Sequence, residues 1–255
     1  MRNAIILVMS CNKDRFLNEE KIIKKTWGKD ILEGKYENLK LIFYRGGAKE
    51  SYYDEENNIY HSKENDNLDG TYQKTLDVFK YVEENFKYDY IIRTNTATYI
   101  NIDAIIQFLN LETYYDNKII GPDLIINHIN FSTPFLRGHF MIIPPKFIKI
   151  LINNEVYING IDDIIMGYFL GKVFKEKYTK ILLSVDGINL NNSYIDKLSQ
   201  AYCIKIKDED NEEKNILYML GLHTLYKGKL FETKINPPGN FKTIETEFGI
   251  INLEN

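Results

Sequence analysis

The chain has 255 residues, 44% hydrophobic and 27% charged, which suits one globular domain with a substantial core. Its net charge of −4 excludes a surface that is basic throughout, so nucleic acid is not an expected partner. No apolar run approaches the ~18 residues of a membrane-spanning helix, and the two cysteines, Cys11 and Cys203, lack metal-ligand spacing, so free thiols and a cytoplasmic setting are expected.

Residues 4–9 are a continuous apolar run, as in a strand buried on both faces. Residues 16–27 carry apolar side chains at 16, 17, 22, 23 and 27, a helical spacing. A second strand is expected over 39–44, closed by Arg45-Gly46-Gly47. The stretch 49–67 is polar and acidic, with an extended piece at 58–61. Residues 70–86 read as a helix with Leu76, Phe79, Val82 and Phe86 on its core stripe. Residues 88–93 make the third main strand, and Asp103 is expected to cap a helix over 104–109. Further strands are expected at 118–122, at 135–143 through Gly138, and at 181–185. Pro144-Pro145 opens a helix, Asn159-Gly160 makes a turn, and helices follow over 162–174 and 215–226. The acidic run 208–213 reads as a solvated loop, and Pro237-Pro238-Gly239 starts an irregular tail. Alternating strands and helices in the first half indicate an α/β fold with a mainly parallel sheet.

Two stretches could carry chemistry. The strand Tyr90-Ile91-Ile92 runs into Arg93-Thr94-Asn95-Thr96, and small polar residues at such a strand end are a usual ligand position in an open α/β sheet. Arg93 follows an apolar strand, so its charge must be paired with an acid or face the cleft. In the second stretch Asp162 and Asp163 open a helix, where one carboxylate can cap and the other serve as general base. From the spacing alone, a plain cap with a second, solvated acid is the commoner arrangement. His139 reads as a substrate contact or a structural histidine; His223, between Leu222 and Leu225, reads as a core residue or a ligand. Trp27 and Cys11 read as packing residues. The chain contains no phosphate-binding glycine loop, no Gly-x-Ser-x-Gly elbow and no His-Glu-x-x-His helix.

The order of short motifs from Ile5 to Lys172 resembles the fringe-like β-1,3-glycosyltransferases, inverting enzymes with the GT-A fold. Ile6-Leu7-Val8-Met9-Ser10 looks like the family's opening strand. Ile23-Lys24-Lys25-Thr26-Trp27-Gly28 is similar to its Ile-Arg-x-Thr-Trp-Gly, with Lys24 for arginine. Asp69-Gly70-Thr71-Tyr72-Gln73-Lys74-Thr75 resembles a shortened Asp-x-Tyr…Lys-Thr stretch. The segment from Arg93 to Asn101 stands where the family has Lys-Thr-Asp-Asp-Asp-Val-Phe-Val-Asn, and Arg137-Gly138-His139-Phe140 falls on its glycine-rich strand. Ile161-Asp162-Asp163-Ile164 is similar to its Asp-Asp or Glu-Asp helix start. Past about Ile181 no match holds.

The resemblance implies a single GT-A-like domain over 1–255: a nucleotide-binding half at 1–110, an acceptor-binding half at 111–198 and an extension at 199–255. It implies transfer of a hexose or N-acetylhexosamine from a UDP-sugar to a hydroxyl of a glycan or glycolipid acceptor, with Asp163 as general base. Ser10, Cys11, Arg15, Lys24, Lys74, Arg93, Thr94, Asn95 and Thr96 fall on the nucleotide-sugar side; Arg137, Gly138, His139 and Asp162 fall on the donor-sugar or acceptor side. The family's metal-binding aspartates match Asn95 and Ala97, and alanine has no ligand atom. Three readings stand. In the first the enzyme needs no metal, and Lys13, Arg15, Lys74, Arg93 or Arg137 neutralises the diphosphate. In the second Mn²⁺ or Mg²⁺ is held weakly, with help from Asn95 or His223. In the third the chain is an inactive sugar-nucleotide or glycan-binding module. Peripheral membrane association and a homo-oligomer stay open.

Overall fold

A computed structural model describes residues 2–110, 118–121, 124–125, 135–154, 157–158, 160–173, 178–180, 184–186, 201, 203–206, 212–226, 243–246 and 249–252. The first half contains β1 (Ala4–Met9), α1 (Asp14–Lys25), α2 (Lys29–Leu32), β2 (Leu39–Arg45), β3 (Tyr52–Asp54), β4 (Ile59–His61), α3 (Thr71–Asn85), β5 (Tyr90–Asn95), β6 (Thr98–Ile100) and α4 (Ile102–Leu109). Then come β7 (Ile119–Gly121), β8 (Leu124–Ile125), β9 (Phe135–Leu136), β10 (Phe140–Ile143), α5 (Pro145–Asn153) and α6 (Asp162–Gly167). The described remainder is β11 (Tyr178–Lys180), β12 (Ser184–Asp186), β13 (Cys203–Lys205), α7 (Glu212–Tyr226), β14 (Thr243–Thr246) and β15 (Gly249–Asn252).

Eight strands form the main sheet in the order β11-β7-β10-β5-β1-β2-β4-β3. The apolar runs of β1, β2 and β5 form its centre because both faces are covered. Ala4, Ile6 and Val8 join one core with residues of α1, α2, α4 and α7; Ile5 and Leu7 join the other with residues of α3, α5 and α6. The result is a three-layer α/β/α sandwich. Met9 stands opposite both Tyr44 and Asn95, so the carboxyl ends of the three central strands are level. A topological edge lies beside them: β10 runs antiparallel to β5 and β7, so the sheet is mixed around a parallel β4-β2-β1-β5 core.

Several local expectations shift. Asn101, not Asp103, caps α4, its side-chain oxygen accepting from the Ala104 N–H at 3.3 Å. The stretch 135–143 is two strands, because the chain turns at Gly138-His139. After Gly167 the helix widens into a π-helical stretch at Tyr168–Val173. Glu212 and Glu213 belong to α7 rather than to a loop. Strands β3 and β6, three residues each, carry too short a pattern to be expected. Residues 181–183, Asn159 and the proline-rich segment at 237–239 lie outside the described residues. Among the described residues no helix is long and apolar enough to cross a membrane.

Candidate active site

The level strand ends, together with the first turns of α3 and α6, build a polar cluster at one edge of the sandwich. Side chains alternate along β5, so Arg93 falls on the same face as Ile91, toward α3 and α6. There the Arg93 guanidinium pairs with Asp162 Oδ2 at 2.5 Å, with only 1% and 2% of the two side chains exposed. Thr75 Oγ1 also donates to Asp162 Oδ2 at 3.3 Å, and Tyr44 OH lies 3.0 Å from Thr75 Oγ1. Such a pair is uncompensated when either partner goes, so the two charges hold β5 and α6 together. Burial pushes the Asp162 carboxyl up to about 6, against the pull of Arg93 and with a push from Asp163. Burial also opposes the Arg93 charge, but Asp162, Tyr44 and Asp163 outweigh it and the net shift is up. At neutral pH both partners are therefore charged.

Asp163, the next residue, is only partly buried. Its Oδ2 accepts the Gly138 N–H at 2.7 Å and its Oδ1 accepts the Ile164 N–H at 2.8 Å. The adjoining His139 carbonyl accepts from Thr94 Oγ1 at 2.7 Å and from Thr98 Oγ1 at 3.1 Å. Arg137, Gly138 and His139 thus form one turn, pinned to the end of β5 on one side and to Asp163 on the other. The α6 start is held from behind as well. Gly160 has φ of +152°, which glycine tolerates; its N–H donates to Asp69 O at 2.6 Å and its carbonyl accepts from Tyr72 N at 3.3 Å.

The other expected site residues are distributed unevenly. Ser10 is buried at the end of β1, its hydroxyl without a hydrogen-bond partner among the described residues. Its carbonyl accepts from Lys74 Nζ at 2.7 Å, and Lys74 also pairs with Asp66 at 2.8 Å. Cys11 and Cys203 are buried and not joined in a disulfide, and burial, then the Asp66 charge, push the Cys11 thiol up. That makes it a poor nucleophile. Arg15 pairs with Glu19 at 3.2 Å, and Glu19 also accepts from Thr96 Oγ1. Lys24 lies in the last turn of α1, on the Asn57 carbonyl and 5.3 Å from the Phe43 ring centre. His139 is buried, and His223 is buried with its Nδ1 3.1 Å from Tyr99 OH.

A divalent cation on the family's pattern would need carboxylates at 95 and 97. Ala97 offers none, and Asn95 Oδ1 already accepts from Ala97 N at 3.2 Å and Thr98 Oγ1 at 2.9 Å. Among the described residues no three His, Cys, Asp or Glu side chains are grouped to hold a metal. The residues at this turn do not fit the ion.

Asp66, Glu19, Tyr44 and Thr75 were not expected at the site. Glu19 and Glu20 had a signal in the sequence: they fall between Phe16 and Ile23 on the buried stripe of α1, where an acid requires a partner. Glu20 finds it in Arg45, whose Nε donates at 2.8 Å. Asp66 sits in an aperiodic polar stretch with nothing to mark it.

A parallel α/β/α core with an antiparallel strand beside its central strand end is the fold of the GT-A glycosyltransferases, and this chain has it. A solved glycosyltransferase involved in glycosylation of the major capsid of PBCV-1 superposes with a TM-score of 0.52 at 12% identity, over 85% of this chain and 98% of that one. The galactosyltransferase LgtC, solved with donor and acceptor sugar analogs, gives 0.46 at 9% identity, over 93% of this chain and 98% of that one. The mannosyltransferase PcManGT of Pyrobaculum calidifontis, solved with GDP-Man and Mn²⁺, gives 0.47 at 9%, over 93% and 66%. No protein-family model matches the chain, and no curated protein matches its sequence.

Proposed function

We propose that the protein is an inverting glycosyltransferase of the fringe-like kind, using a UDP-sugar and a glycan or glycolipid hydroxyl as acceptor. The observation that carries this reading is the division of labour in the aspartate pair. Asp162 is 1% exposed and tied to Arg93, while Asp163 is partly exposed beside the Gly138 turn that is pinned to the end of β5. A carboxylate held by two backbone N–H groups keeps lone pairs for an incoming hydroxyl. In this reading Asp163 takes the acceptor proton as the acceptor oxygen attacks the anomeric carbon. The bond from that carbon to the diphosphate oxygen breaks on the opposite face, UDP leaves, and the configuration inverts. Lys74 and Arg93 are buried against carboxylates, so the more accessible Lys13, Arg15 and Arg137 are the cations assigned to the leaving diphosphate.

The test is Asp163→Asn. Transfer from UDP-hexose or UDP-N-acetylhexosamine falls at least ~100-fold while donor binding by calorimetry is kept. An active Asp163→Asn enzyme removes Asp163 from the role. The absence of carboxylates at 95 and 97 favours a second reading, a sugar-nucleotide or glycan-binding module without turnover. Binding of a UDP-sugar with neither transfer nor hydrolysis, across acceptors and metals, decides for it.

A further inference from the structure

Gly138 lies between two of the charged groups already described. A Cβ built on it would stand 2.7 Å from Arg93 Nη1 and 3.1 Å from both Cβ and Oδ2 of Asp163. The guanidinium and Asp163 therefore both close on Gly138 where a side chain would stand, and Asp163 also accepts the Gly138 N–H. Arg93 also holds Asp162, the residue before Asp163, at 2.5 Å. One buried cation thus contacts both neighbours of the Asp163 carboxylate: the helix start that carries it and the turn that receives it. Met9 Sδ, 3.4 Å from Arg93 Nη2, closes the guanidinium against β1.

We propose that Arg93 is a positioning residue for Asp163, fixing the first turn of α6 through Asp162 and the Gly138 turn through direct packing, so that the Asp163 carboxylate is aimed before any ligand arrives. This rests on the reading of Asp163 as the general base. Two adjacent carboxylates in one helical turn repel each other, and a guanidinium lying between them and the sheet offsets that repulsion. The cation belongs to β5, so the aim of Asp163 is referred to the most rigid part of the sheet rather than to a loop. Preorganisation of this kind acts on turnover, since a small misplacement of the base costs rate more than donor affinity.

The test compares the unaltered protein with Arg93→Lys and with the paired replacement Arg93→Met plus Asp162→Leu, which removes both buried charges together. Amide exchange by NMR reads Gly138 directly, and the amides of β1 and β2 report whether the fold survives. In the paired variant Gly138 exchange rises about tenfold or more while β1 and β2 keep their protection. In the same variant kcat for UDP-sugar transfer falls about a hundredfold and donor KM stays within about threefold. Arg93→Lys keeps the charge without the planar fork and falls between the two. Unchanged Gly138 exchange overturns the proposal, as does unchanged kcat in a folded variant. Should the paired variant unfold, Arg93→Lys with both readouts unchanged overturns it too. If the unaltered protein turns over no UDP-sugar, the transferase reading fails on its own, and Gly138 exchange still decides the positioning.

Discussion

The Gly138 backbone N–H donates to Asp163 Oδ2 at 2.7 Å, joining the turn between β9 and β10 to the first turn of α6. Gly138 is not among the residues with positive φ, so its need for glycine is one of space. Gly138→Ala places a methyl group 2.7 Å from Arg93 Nη1 and 3.1 Å from Asp163 Oδ2. Something must shift, at a cost of about 1–3 kcal/mol. Urea unfolding measures that cost. Turnover is expected to drop about a hundredfold, because the displaced group is the proposed base or its cradle. A variant with wild-type stability and turnover would show that this contact is slack.

Lys74 is buried by an arrangement that the sequence motif alone does not disclose. Asp66 accepts from Lys74 Nζ at 2.8 Å, from the Gly46 N–H at 2.8 Å and from the Asn12 N–H at 2.6 Å. One carboxylate thus ties together the ends of β1 and β2 and the start of α3. Asp66→Ala leaves an ammonium with 2% side-chain exposure beside the Ser10 carbonyl alone. The expected loss is about 3–5 kcal/mol, much of it recovered when Lys74→Met is added. Chemical denaturation of both variants checks this. Equal losses in the single and double variants would mean that the backbone contacts of Asp66, not the buried charge, dominate.

The central strands were readable because burial on both faces leaves no polar alternation, as in Ile5 to Val8 and Tyr90 to Ile92. The short edge strands were not, since three residues such as Tyr52–Asp54 take their conformation from pairing with β4. The Asp162-Asp163 pair was visible as a helix start, but which acid turns inward depends on Arg93, 69 residues away in sequence. Nothing local encodes that choice. The same holds for Asp66, whose three donors come from three separate stretches of the chain.

At the β5–β6 turn the chemistry of the side chains sets a metal prediction. Ala97 has no ligand atom, and Asn95 Oδ1 is engaged by Ala97 N and Thr98 Oγ1. A UDP-sugar is therefore expected to raise the melting temperature equally with Mn²⁺, Mg²⁺ or EDTA present, since only a ligand-linked metal would add to the shift. Asn95→Asp with Ala97→Asp supplies two carboxylates at the turn and is expected to introduce Mn²⁺ dependence. A metal-dependent shift in the unaltered chain overturns this account and calls for ligands elsewhere.

Asp162 gives a pH dependence of unusual sign. Burial raises its carboxyl from 3.8 to about 6 in the folded chain. Between those values the folded form keeps a proton that the unfolded form has released, so stability through this group falls as pH rises. The group therefore favours folding below about pH 4 and loses that contribution as pH climbs to about 6, with a ceiling of ~3 kcal/mol for the span. Asp162→Asn cannot titrate, so it supplies the reference. Urea midpoints of the two proteins across this range should show the unaltered chain declining relative to the variant, then running parallel above about pH 7. The opposite slope, with the unaltered chain gaining on the variant as pH rises through about 4, would show that the Arg93 charge outweighs burial and holds the carboxyl below its ordinary value.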